Sequence, residues 1–208
     1  EQMPGGGNQV NQGTSANTLS EDTSVSGETY TSVGDDENAL RIHGAIVSCR
    51  ISPWTKVQGL PPMPSRGDFY GMNAALLATD GAQVTIENVI VTSSAQNGNG
   101  IFSYGSGTSV TVKDTSITTT ADNSGGIQTT GGGATYAENL TVSTAGNSSA
   151  AIRSDRGGGT VQVSGGSYES SGYNSPAVYS TATISVENAL LTAHNSEALV
   201  IEGKNSIA

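Results

Sequence analysis

Asn73 to Gly98 reads NAALLATDGAQVTIENVIVTSSAQNG and holds three short strand-like runs: around Ala74 to Thr79, Val84 to Glu87, and Val89 to Ser93. Two of the corners between runs carry Gly, Asn or Ser, the residues that close turns. The corner between the second and third runs has room for one residue only, here Asn88. Written beneath this stretch, the rest of the chain repeats it about every 21 to 26 residues: NGIFSYGSGTSVTVKDTSITTTADNS, GGIQTTGGGATYAENLTVSTAGNS, SAAIRSDRGGGTVQVSGGSYESSGYN, SPAVYSTATISVENALLTAHN, then SEALVIEGKNSIA. A degenerate copy, ENALRIHGAIVSCRI at 37 to 51, comes before it. The one-residue corner is then filled in turn by Asn88, Asp114, Asn139, Gly165 and Asn188. These residue types tolerate the left-handed backbone that such a corner needs, and stacked Asn side chains can hydrogen-bond from coil to coil. Three strands per turn make a triangular prism. The expected fold is all-β: a single-stranded, right-handed parallel β-helix of about seven coils, each of three short strands.

Composition agrees with a narrow core. Only 34% of the 208 residues are hydrophobic and 5% aromatic, while Gly alone contributes 28. Residues 37–208 are assigned to the β-helix. Residues 1–36 carry almost no apolar periodicity and are expected to form a low-complexity tether or strand-poor cap. The stretch ISPWTKVQGLPPMPSRGD, about 51–68, holds four prolines and the only Trp, and is expected to bulge from one coil as a loop. The net charge of −10 repels phosphate backbones and anionic headgroups, so no nucleic-acid partner is expected. No apolar run is long enough to imply membrane insertion. Cys49 is the only cysteine, so no intramolecular disulfide forms, and His43 and His194 are isolated, so no zinc site is expected.

Alternation assigns the faces. On the first strand, Leu76, Phe102, Ile127, Ile152, Val178 and Leu199 are expected to point inward. On the second strand the outward column reads Glu87, Lys113, Glu138, Ser164, Glu187. On the third it reads Thr92, Thr118, Ser143, Glu169, Thr192. Both outer columns look like solvated sheet surface.

The segments GDDENALRI, DFYGMNAALLATDGA, NGIFSYG, SAAIRSDRGGGTV, SPAVYST and EALVIEGKNSI resemble the repeat signatures of adhesin-like right-handed β-helix proteins of Gram-positive, gut-type bacteria, with a pectate-lyase-like fold. The resemblance runs from about Gly34 to Ile207. It implies an extracellular or cell-surface protein, its signal peptide removed, that adheres to a glycan or to a host or cell-surface molecule without catalysis. It also implies further coils beyond EGKNSI, so the last coil here would be uncapped and open to end-to-end self-association. Pectate-lyase-like helices place their cleft against the first-strand sheet. The outward residues there that stand out are Arg153, Asp155, Arg156, Tyr179 and Glu202, beside the turn Gly157 to Gly159. These, with Trp54 on the proline-rich loop, are the ligand-binding candidates, because aromatic faces stack on sugar rings. Were the protein instead a polysaccharide lyase or glycoside hydrolase, Asp155 and Glu202, two coils apart, would be its carboxylates. That pair makes a poor Ca²⁺ site, and no cofactor or metal is expected. A third reading is a passive stalk.

Overall fold

The computed structural model describes residues 10–57 and 64–203. Among them the chain winds as a right-handed parallel β-helix of about seven turns with three sheets. The first sheet has eight strands, from Thr18–Leu19 through Leu40–His43, Leu76–Thr79, Ile101–Tyr104, Ile127–Thr130, Ile152–Ser154 and Val178–Ser180 to Leu199–Ile201. The second runs over seven strands from Thr23–Ser26 to Thr183–Glu187, and the third over seven from Tyr30–Ser32 to Leu190–Ala193. Every described pairing is parallel and follows the coil repeat, as Val84 beside Val110 and Val91 beside Ile117.

The core is a stack of columns. The first sheet contributes Leu40, Leu76, Ile101, Ile127, Ile152 and Val178 in register. Here the expected column is corrected by one position. Ile101, not Phe102, points inward; Phe102 lies beside Leu77 and Gln128 on the outer side. Two adjacent apolar residues leave alternation undecided, and it is the pairing of Ile101 with Leu76 and Ile127 that sets which one faces in. At the third-to-first corner a serine ladder satisfies the buried backbone: Gly98 N–H donates to Ser124 Oγ at 3.0 Å, Ser124 N–H to Ser149 Oγ at 2.9 Å, and Ser149 N–H to Ser175 Oγ at 2.9 Å.

All five residues of the one-residue corner have positive φ, between 47° and 68°. Asn139 Nδ2 donates to Asp114 Oδ1 at 2.7 Å, one coil down. Two boundaries move. Residues 14 to 32, expected to be tether or strand-poor cap, supply a first coil whose short strands pair with the second. The expected loop at 51–68 starts as a strand, Pro53–Lys56, in the third sheet.

Candidate functional site

After Pro53–Lys56 the chain inserts a segment containing the short helix Pro64–Tyr70 before re-entering the first sheet at Leu76. The part of this insertion that follows Arg66 lies across the outside of the first sheet. Gln128 Nε2 donates to the carbonyl of Asp68 at 2.8 Å, and Thr130 Oγ1 to that of Phe69 at 2.6 Å. Tyr70 meets Tyr104 edge to face, with ring centroids 5.8 Å apart. A small apolar cluster of Ala74, Leu77 and Phe102 forms beneath it, and Gln128, although it points outward, is fully buried. The sheet surface is thus covered by the chain itself through the middle coils.

Where the cover ends, the candidates gather. Arg153, outward on Ile152–Ser154, reaches Asp68 Oδ1 with Nη1 at 3.4 Å and Asp155 Oδ2 with Nη2 at 2.8 Å. All three side chains keep 12 to 16% of their surface exposed. The backbone N–H of Arg156 donates to Asp155 Oδ1 at 2.9 Å, and its guanidinium sits 4.3 Å from the centre of the Phe69 ring. The turn Arg153 to Arg156 therefore grips the insertion twice, by an ion pair and by a cation–π contact. Burial pushes the Asp68 carboxyl up to about 6, against the downward pull of Arg153, and Asp155 adds to the rise. Burial pulls the Arg153 guanidinium down, but Asp68 and Asp155 more than reverse it.

One coil further, Tyr179 lies in register with Arg153, and the guanidinium stands 5.6 Å from its ring centre. Its hydroxyl donates to the Glu202 carboxylate, and burial, followed by that bond, pushes the pKa of the Tyr179 phenol up to about 12. Tyr179, Arg153 and Glu202 line a groove of about 390 Å³ whose other side is the corner column Asn123, Ser148 and Asn174 with Pro176. That column is a second set of left-handed residues, at φ 51° to 53°.

Five of the six sequence-derived candidates thus gather at this one place. Asp155 and Glu202 are both engaged, the first by Arg153 and the second by Tyr179. The sixth, Trp54, is corrected: it is a core residue, fully buried in register between Tyr30 and Val91, with its indole N–H donating to Ser52 Oγ at 3.0 Å. Asp68 went unread, since nothing in an aperiodic, proline-rich insertion says which residue returns to the sheet.

Elsewhere the titratable groups pair locally. His43 meets Asp80 at 2.7 Å and His194 meets Glu169 at 2.6 Å. Cys49 is buried in the core, its thiol pushed up to about 12 by burial. Among the described residues no three His, Cys, Asp or Glu side chains gather as a metal site, and no helix is long and apolar enough to cross a membrane. No known protein family, curated protein or solved structure matches the chain.

Proposed function

We propose that this chain is an adhesin-like, extracellular or cell-surface β-helix that binds carbohydrate through the Tyr179 groove and does no chemistry on it. The observation that carries the reading is the setting of Tyr179: a partly exposed ring lining a groove, with a guanidinium at one side and a carboxylate at the other, on a strand paired on both sides. Sugar rings stack their C–H faces on such rings, while their hydroxyls bond to flanking charged and amide groups. The acidic surface disfavours nucleic acid and anionic membrane as partners.

The competing enzyme reading requires one carboxyl free to protonate a leaving group and a second to act as base or nucleophile. Asp155 is held by Arg153 from one side and by a backbone N–H from the other, which fits a structural latch. Asp68 has the raised pKa of a general acid, yet it is nearly buried and faces the same guanidinium. Both carboxylates serve to fasten the insertion in the proposed reading.

The test is retention on immobilised plant and host polysaccharides. Tyr179→Ala is expected to weaken retention at least tenfold and Tyr179→Phe to leave most of it. Equal retention by wild type and Tyr179→Ala removes the groove from the account.

A further inference from the structure

The second sheet carries another site. Two of its outer rows follow from the register: Ser48, Thr85, Thr111, Tyr136, Gln162, Ser185 in one and Arg50, Glu87, Lys113, Glu138, Ser164, Glu187 in the next. The charged row begins as paired rungs, Arg50 with Glu87 at 2.8 Å and Lys113 with Glu138 at 2.9 Å. Then the short Ser164 interrupts it. Among the described residues Glu187, beyond the gap, is in no ion pair. In the other row Tyr136 is the one aromatic side chain and is 38% exposed. Long side chains on both rows with a short one between them leave a concavity of about 560 Å³, walled by Tyr136 and Gln162 on one side and by Glu138 and Glu187 on the other. Ser164 and Ser185 put hydroxyls into it.

We propose that this groove is a second ligand site, built for an uncharged oligosaccharide lying along the helix axis. Tyr136 offers a ring face to one sugar. The Gln162 amide both donates and accepts, the two serines do the same, and the glutamates accept from sugar hydroxyls. Rungs about 4.8 Å apart present these groups at a regular spacing, which a repeating polymer can meet more than once. Charge selects the class: of the charged residues lining the groove, Lys113 is paired with Glu138, which leaves Glu187 in excess, and with a net charge of −10 this opposes uronates and sulfated glycans. A peptide has no purchase by strand addition, because the strands under Tyr136 and Gln162 are paired on both sides. The site shares a ligand class with the Tyr179 groove but no residue and no sheet, so the two fail independently.

The experiment uses the full chain on an array of neutral, amino-sugar and uronate oligosaccharides. Neutral oligosaccharides are expected to be retained, more weakly than by wild type, by Tyr179→Ala, and in that background the remaining apparent affinity is expected to fall at least tenfold on adding Tyr136→Ala and to stay within twofold on adding Tyr136→Phe. Ser164→Glu fills the gap at a half-buried outward position and, in the same Tyr179→Ala background, is expected to abolish that retention while the far-ultraviolet circular dichroism stays that of wild type. Neutral glycans held equally by Tyr136→Ala and Ser164→Glu, retention confined to uronates or amino sugars, or no retention of neutral glycans at all would each overturn the proposal.

Discussion

The one-residue corner between the second and third sheets is occupied in successive coils by Gly27, Ile51, Asn88, Asp114, Asn139, Gly165 and Asn188, at φ from 47° to 77°. Six of the seven are residues that take the left-handed region readily; Ile51 is β-branched, and its Cβ crowds the following carbonyl there. It gains little in return, being 66% exposed. Ile51→Asn is expected to raise stability by about 1 kcal/mol, read as a higher urea midpoint at unchanged slope; a lower midpoint would mean that the isoleucine packs better than its exposure indicates. Tyr168 is the converse case. It fills the third-sheet column above Val142, fully buried, and among the described residues its hydroxyl has no hydrogen-bond partner. Tyr168→Phe removes that uncompensated group and is expected to stabilise by about 1 kcal/mol, measured by thermal unfolding. The five later corner residues were legible because each announces its backbone; Ile51 was not, since no sequence rule puts isoleucine at positive φ. Phe102 was misread for a related reason: beside Ile101, its chemistry alone does not say which of the two faces in.

At the scale of the element, the insertion is what distinguishes this prism from a plain stack of coils. It is fastened by Gln128, Thr130 and the turn from Arg153 to Arg156, and the turn holds it through Asp68 and Phe69. Asp68 gives that fastening a pH dependence. Its carboxyl lies at about 6 when folded, against an ordinary 3.8. A group raised on folding binds more protons in the folded state, so its contribution is fully present below about pH 4 and is lost as pH rises through about 6. The urea midpoint of wild type minus that of Asp68→Asn should therefore fall between pH 4 and pH 6 and level off above; a difference that rises over this window would show that the ion pair with Arg153 outweighs burial. Little of this was readable beforehand. The stretch from Ile51 to Asp68 has no periodicity, and the strand within it is masked by Pro53 at its start and by Lys56, an inward-facing, buried lysine whose Nζ donates to Ser32 Oγ at 3.2 Å and to the carbonyl of Gly34 at 2.5 Å. Burial lowers that lysine, and Glu37, Asp35 and Asp36 oppose the fall, which gives the acidic run ahead of the second coil a physical purpose.

For the whole molecule, the repeat alone was enough to read an all-β prism, because each coil restates the same three runs and the same corner. The first coil escaped, since its strands Thr14–Ser15 and Thr18–Leu19 are two residues long and hold one apolar side chain between them. Three faces then divide the surface: one covered by the insertion, one with a ladder of charges and the Tyr136 groove, and one of hydroxyls running Thr31, Thr55, Thr92, Thr118 and Ser143. In the last described coil Leu199 lines an apolar hollow of about 230 Å³ with Val178, Ile184, Val186 and Leu191. Non-catalytic glycan binding is the central claim, and it is tested most directly by incubating the protein with an array of host and plant polysaccharides, with and without Ca²⁺, while following both retention and the appearance of new reducing or unsaturated ends. Retention with no new ends is the predicted result; new ends that vanish in Asp155→Asn or Glu202→Gln would contradict the account and make the protein an enzyme.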